Sequence, residues 1–193
     1  MEIVDMKKVM LLGDSIRMGY EDRVITNLGV EYEVWSPEEN CRFARYTLNC
    51  LRNYIEECPN PDIIHWNNGL WDTAILYPED GCFTPINEYI RDMKLILREL
   101  KKTGAEIIFA TITPINPLKV ENLVSKHSNE DIIEFNKHVV DVMKEENIII
   151  NDLHSLIYLK IHEYICEDHI HMTDEGKIAC GKAVADIIKS VLE

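Results

Sequence analysis

The sequence is short of positive charge: 20 Lys and Arg stand against 34 Asp and Glu, a formal net charge of -14 at pH 7. Nucleic-acid binding draws its affinity from clustered Lys and Arg that displace counterions from phosphates, and the basic residues here are scattered, which argues against that partner. The same negative field disfavours an anionic membrane surface or a polyanionic substrate and leaves a neutral or cationic one. No stretch approaches the ~20 consecutive apolar residues of a membrane span. The N-terminal MEIVDMKKVMLLGDS reads as a first core strand rather than a cleavable signal, so the expectation is a cytoplasmic chain with no membrane contact. None of the six cysteines (Cys41, Cys50, Cys58, Cys82, Cys166, Cys180) forms a C-x-x-C pair, so neither a zinc ribbon nor a dithiol redox motif is indicated. Free thiols in a reducing compartment are the simple reading. With only 8 Gly and 7 Pro there is no low-complexity tract, linker or internal repeat, and residues 1–193 read as one domain.

Short β-rich apolar runs alternate with longer segments of helical period, the pattern of an α/β protein with a mostly parallel sheet. Strands are expected at Lys8 to Leu12, Tyr32 to Trp35, Asp62 to Trp66, Glu106 to Thr111 and Ile148 to Ile150. Helices are expected at Met18 to Asn27, Arg45 to Glu57, Ile86 to Lys102, Glu130 to Glu146 and about Thr173 to Val191. In the third helix Ile90, Met93, Ile96, Leu97 and Leu100 form one stripe, and Thr103-Gly104 supplies a stop. Thr173 is a plausible N-cap of the last helix. The expected architecture is a three-layer α/β/α sandwich, flavodoxin-like in general form, with about five strands. Two long connections, Asn67 to Pro85 and Thr113 to Asn129, follow carboxyl ends of strands, where open α/β sheets place ligands.

Two fragments carry chemistry. Gly13-Asp14-Ser15 lies between the first strand and a helix, a turn that lifts the hydroxyl above the sheet edge beside the N–H groups of a helix start. Taken alone, the serine could simply cap the helix. Near the other end, Asp168-His169-Ile170-His171 can supply a base for a serine proton and an acceptor that fixes the base's tautomer, although an isolated D-x-x-H is more often an incidental loop.

Together, GDS after the first strand and D-x-x-H-x-T-x-x-G at 168–176 resemble the SGNH or GDSL-like hydrolase family, and the two blocks frame nearly the whole chain. The resemblance implies Ser15 as nucleophile, with His171 and Asp168 completing a triad. The middle blocks depart from the family. Its second block corresponds to Asn40-Cys41-Arg42-Phe43-Ala44-Arg45-Tyr46-Thr47, which lacks the glycine whose N–H faces the oxyanion, so Ala44 or Arg45 would have to donate. Its third block, G-x-N-D, corresponds to Gly69-Leu70-Trp71-Asp72, with Trp71 in place of the asparagine that donates to the oxyanion. Either the Trp71 indole N–H substitutes or Asn67 or Asn68 reaches in from the preceding turn, with Asn68 slightly favoured. The Asn-Asn-Gly stretch is also good turn chemistry by itself. Asp14, Ala44, Arg45, Asn68 and Trp71 are the oxyanion and substrate-binding candidates.

Asp168, His169 and His171 could be imagined around a metal, but no second His or Cys cluster completes a shell, and no metal or other cofactor is expected. There is no G-x-S-x-G, P-loop or dinucleotide fingerprint. His65, inside an apolar strand, reads as a satisfied core histidine. The resulting expectation is a serine esterase that removes a short acyl group, first of all acetyl, from a small-molecule or oligosaccharide ester, because Phe43, Arg45 and Trp71 would crowd the site. A lysophospholipase or thioesterase is the alternative, with Leu118, Val120 and Leu123 lining a groove. From a different class comes a non-catalytic binding relative whose oxyanion hole has decayed. Oligomeric state is not legible.

Overall fold

In the computed structural model, which describes residues 6–119 and 126–192, five parallel strands form one sheet in the order β2-β1-β3-β4-β5. They are β1 Lys7–Leu12, β2 Tyr32–Trp35, β3 Ile63–Trp66, β4 Glu106–Ala110 and β5 Ile149–Asn151. β3 is buried at every residue and β1 and β4 at four each, which is why these strands read as unbroken apolar runs rather than alternating ones.

The principal helices are α1 Ser15–Leu28, α2 Ala44–Glu57, α3 Ile86–Lys101, α4 Asn129–Glu145 and α7 Asp174–Leu192. α1 and α7 pack together on one face, while α2, α3 and α4 follow one another on the other, giving three layers. The stripe expected in α3 is buried at Met93, Ile96, Leu97 and Leu100, while Ile90 is half-buried. Two helices were not anticipated, α5 Leu153–Tyr158 and α6 Ile161–Tyr164. Segments of this length contain too few turns to display a period; α5 is started instead by Asp152, whose carboxylate accepts from the Ser155 N–H at 3.0 Å.

α1 begins three residues earlier than its apolar pattern suggests. Asp14 supplies the cap, its Oδ1 accepting from the Ile16 N–H at 2.9 Å, so Ser15 is the first helical residue and not the cap. The Thr173 hydroxyl accepts from the Gly176 N–H at 3.2 Å at the start of α7. Because α1 follows the first motif, α7 follows the last, and the two helices pack together, the distant ends of the chain meet at the carboxyl edge of the sheet. The long connections also join there, through a two-way backbone bridge in which Ile75 N donates to Lys126 O at 2.7 Å and Lys126 N to Ile75 O at 3.0 Å. Among the described residues, no helix is long and apolar enough to cross a membrane.

Candidate active site

The turn that presents Ser15 is built by close contact. A Cβ on Gly13 would stand 2.1 Å from Asn67 Oδ1, so only glycine lets the end of β1 lie against the end of β3. Asn67 spans this junction, donating to Asp14 Oδ1 at 3.2 Å and accepting from the Tyr20 hydroxyl at 3.3 Å. Ser15 is therefore held at the first turn of α1, where its own N–H has no acceptor within the helix and is available to an anion.

On the opposite wall the turn at 168–171 is folded by its aspartate. Asp168 Oδ1 accepts from the N–H groups of Ile170 at 3.1 Å and His171 at 2.9 Å, while His169 takes the left-handed conformation with φ 62° that closes the turn. The remaining oxygen, Oδ2, lies 2.6 Å from His171 Nδ1, and His171 Nε2 lies 2.9 Å from Ser15 Oγ. With Nδ1–H donating to the carboxylate, Nε2 is left as the acceptor for the serine hydroxyl. Burial pushes the Asp168 carboxyl up, but hydrogen bonds from the His171 ring and the two backbone N–H groups outweigh it and hold the group below the usual range. His171 and Asp168 side chains are 47% and 48% exposed, so the pair sits at the mouth of the site and not in its floor.

Two grooves meet at this hydroxyl and imidazole. One, of about 390 Å³, is lined by Ser15, Asn40, Leu70, Trp71, Ala74, Leu76, His127, Ile170 and His171. The other, of about 340 Å³, runs past Met18, Gly19, Cys166, Met172 and Lys177. An ester lying across the serine would thus find room on both sides of its carbonyl. His127 packs edge-on against the buried His169 with ring centroids 6.1 Å apart, and burial holds it near a pKa of about 4, so it faces the groove neutral.

The five residues expected to bind the oxyanion or substrate separate. Trp71 lies in the first groove, 42% exposed. Asn68 does not: it is buried and lines neither groove, its Oδ1 accepting from the Trp66 indole at 2.7 Å and its Nδ2 donating to Arg42 O at 3.0 Å, so the amide is held in the scaffold beneath the site. The Ala44 N–H is likewise occupied, donating to Asp72 Oδ2 at 3.0 Å. Asp14 is wholly buried and acts as a helix cap, not a substrate ligand. The Arg45 guanidinium turns to α3, pairing with Asp92 at 2.8 Å and Glu88 at 3.0 Å, which leaves only its first-turn backbone N–H as a donor. Phe43, expected to crowd the site, packs on Phe83 with ring centroids 5.2 Å apart. For Asn68 and Ala44 the cause is the same: each lies beside an acceptor that takes its donor first.

Asn67, the other amide weighed for the oxyanion, instead braces the serine turn through Asp14 and Tyr20, and His127 is the groove residue that sequence reasoning missed. Nothing in the surrounding sequence marks His127. His65 is satisfied at one nitrogen only, Nε2 meeting Asn151 Nδ2 at 3.1 Å, and burial holds it near a pKa of about 3 and hence neutral. Among the described residues no group of three His, Cys, Asp or Glu could hold a metal ion. Leu118 is 78% exposed, whereas Val120 and Leu123 of the expected lipid groove lie outside the described residues.

The fold is shared with known structures across almost the whole chain. A lipase/acylhydrolase from Enterococcus faecalis superposes with a TM-score of 0.81 at 19% identity, over 96% of each chain. A catalytic mutant of an acetylxylan esterase from Geobacillus stearothermophilus gives 0.77 at 15% identity over 97% of this chain and 96% of the other. A GDSL-like lipase from Bacteroides thetaiotaomicron gives 0.70 at 14% identity over 96% and 89%. The three-layer α/β/α arrangement is thus the fold of these lipase and esterase structures. No family model matches the sequence, and no curated protein does.

Proposed function

We propose that the chain is an SGNH-type serine esterase in which Ser15 is the nucleophile, His171 the general base and Asp168 the residue that orients it. The observation that carries the reading is the continuous hydrogen-bonded line from Asp168 Oδ2 through both His171 nitrogens to Ser15 Oγ, with separations of 2.6 and 2.9 Å. These are the distances proton transfer requires, and the three groups come from opposite ends of the sequence.

In acylation, His171 Nε2 takes the Ser15 proton as Oγ bonds to the ester carbonyl carbon, and the electron pair moves onto the carbonyl oxygen. Collapse of that intermediate breaks the bond to the alcohol, which leaves with the proton from His171. Water repeats the sequence on the acyl-enzyme and frees the acid. No step calls for a metal or an organic cofactor.

The substrate we infer is a short-chain acyl ester, acetyl first, on a carbohydrate. With Arg45 and Phe43 directed elsewhere, this now leans on Trp71, whose exposed indole narrows the serine groove and offers a ring face to a sugar. Two of the structures that share the fold are an acetylxylan esterase and a catalytic mutant of another. A longer acyl chain is the second reading, favoured by the apolar side chains of Leu70, Ala74, Leu76 and Ile170 along the same groove.

Hydrolysis of p-nitrophenyl acetate and octanoate by the wild type and Ser15→Ala tests the proposal. Acetate turnover that disappears in Ser15→Ala is expected. A preference for octanoate selects the second substrate reading, and hydrolysis that survives in Ser15→Ala removes the enzyme assignment.

A further inference from the structure

Cleavage through a tetrahedral intermediate needs preorganised donors at the oxyanion, and two of the expected ones, the Asn68 amide and the Ala44 N–H, are committed elsewhere. The structure assigns this task to a different side chain: we propose that the Asn40 amide is the side-chain oxyanion donor, an inference that rests on Ser15 being the nucleophile.

Asn40 lines the same groove as Ser15 and His171 and is half-buried there. Its backbone is clamped on both sides. Before it, the buried guanidinium of Arg17 on α1 donates to Pro37 O at 3.0 Å and Glu39 O at 2.9 Å. The Glu39 carboxylate in turn accepts from the Tyr46 hydroxyl at 2.6 Å and the Tyr54 hydroxyl at 2.8 Å. After it, Cys41 N donates to Gly13 O at 3.2 Å, and the Thr47 hydroxyl donates to Cys41 O at 2.9 Å. Both Arg17 and Gly13 belong to the turn that carries the serine, so Asn40 is indexed to Ser15 by the residues that build the nucleophile itself.

The amide is oriented as well as placed. Its Oδ1 accepts from the Arg42 N–H at 2.7 Å in a tight turn that Arg42 closes with φ 50°. Since the oxygen is engaged by that bond, the NH₂ is the end of the amide left to donate in the groove that Asn40 lines. This supplies what the Trp71 replacement took away. A planar amide donor approaches from the wall formed by the second motif rather than the third, alongside the first-turn N–H of Ser15. Trp71, at the former amide position, is then free to serve as a wall of the groove.

The test separates donation from the turn that Asn40 also makes. In Asn40→Ser the hydroxyl can still accept from the Arg42 N–H but is too short to reach the carbonyl oxygen; Asn40→Ala removes both functions. With a short-chain p-nitrophenyl ester, both variants are expected to lose roughly 10²-fold in kcat with KM within about threefold, as loss of one oxyanion donor does. Inhibition by phenylboronic acid, which forms a tetrahedral adduct on the serine, is expected to weaken in proportion to kcat/KM, while urea unfolding of Asn40→Ser stays at the wild-type midpoint. Trp71→Phe, which removes the indole N–H, is expected to lose less kcat than Asn40→Ser. The inference is overturned if Asn40→Ser keeps wild-type kcat, if the loss falls in KM alone, or if Trp71→Phe shows the larger kcat loss. Ser15→Ala, run in parallel, tells that outcome apart from a failure of the underlying reading: activity independent of Ser15 ends both.

Discussion

Replacing Gly13 by alanine tests whether the serine turn is built by the contact between β1 and β3. The added Cβ would lie 2.1 Å from Asn67 Oδ1, 2.8 Å from Asn67 Cγ and 2.7 Å from Arg17 Cβ, where ordinary contact begins at 3.4 Å. Overpacking of this kind costs about 1–3 kcal/mol. Asn67 can escape by rotating, but that breaks its bonds to Asp14 and the Tyr20 hydroxyl, each worth about 1 kcal/mol net and more if the buried partner stays unpaired. A loss of about 2–3 kcal/mol is expected, or roughly 1–1.5 M in urea midpoint at a slope of about 2 kcal/mol/M.

Asn67→Ala alone should cost about 2 kcal/mol by the same hydrogen bonds. In the double variant the principal clash no longer exists, so the combined loss should fall below the sum by about 1–2 kcal/mol; the Arg17 contact remains and keeps the relief incomplete. Urea unfolding of the four proteins, followed by circular dichroism, reads the coupling. Additivity within about 0.5 kcal/mol, or an unchanged midpoint in Gly13→Ala, would refute the claim that this contact sets the turn.

Two further outcomes follow from the carboxylates around the site. Asp168→Asn keeps an Oδ1 that can accept from Ile170 and His171 N–H, so the turn should persist, but the amide no longer stabilises an imidazolium; kcat for a p-nitrophenyl ester should drop by about 10²–10⁴ with an unchanged circular dichroism spectrum, and full activity would show that Asp168 does not serve His171. Asp72 is wholly buried, and burial, opposed by hydrogen bonds from Thr84 and the Ala44 N–H, raises its pKa to about 7 from the unperturbed 3.8. The native state therefore holds a proton the unfolded chain has released, so this stability is fully present below pH 3.8 and is lost as pH rises through about 7. Relative to Asp72→Asn, the wild type should lose stability across that window, by up to about 4 kcal/mol at ~1.4 kcal/mol per pKa unit; a flat difference between the two urea-midpoint profiles would count against a protonated Asp72.

Much of the fold was legible because each layer leaves a separate trace in sequence. Central strands buried on both faces appear as unbroken runs such as the VMLL of β1, and the stripe of α3 keeps helical period through four buried residues. The reach from Ser15 to His171 was legible as motif chemistry, since each residue type has a role only if the other is present. What the sequence hid is the assignment of individual hydrogen bonds. Asn68 and Ala44 carry good donors in the right blocks, and only the fold reveals that Arg42 O and Asp72 Oδ2 take them. Asn40 stood in a recognised block, yet its orientation depends on a left-handed Arg42 that no propensity predicts for arginine.

The same hydrogen bonds explain how the site tolerates the missing glycine and asparagine of its second and third blocks. Asp14 and Asp72, both fully buried, each accept a backbone N–H from the start of a helix, α1 and α2 respectively, and so fix the two helix N-termini that border the groove. Such bonds constrain the position of the backbone while leaving the side chains on the groove free to differ. Arg45 and Trp71 can therefore occupy positions where small or amide residues are expected without displacing Ser15, because neither takes part in the Gly13, Asn67 and Asp14 contacts that hold it. Divergence at the rim is then a change in what the groove accepts, while the distance between hydroxyl and imidazole is set by the Asp14 cap of α1, the Asp168 turn and the packing of α1 on α7.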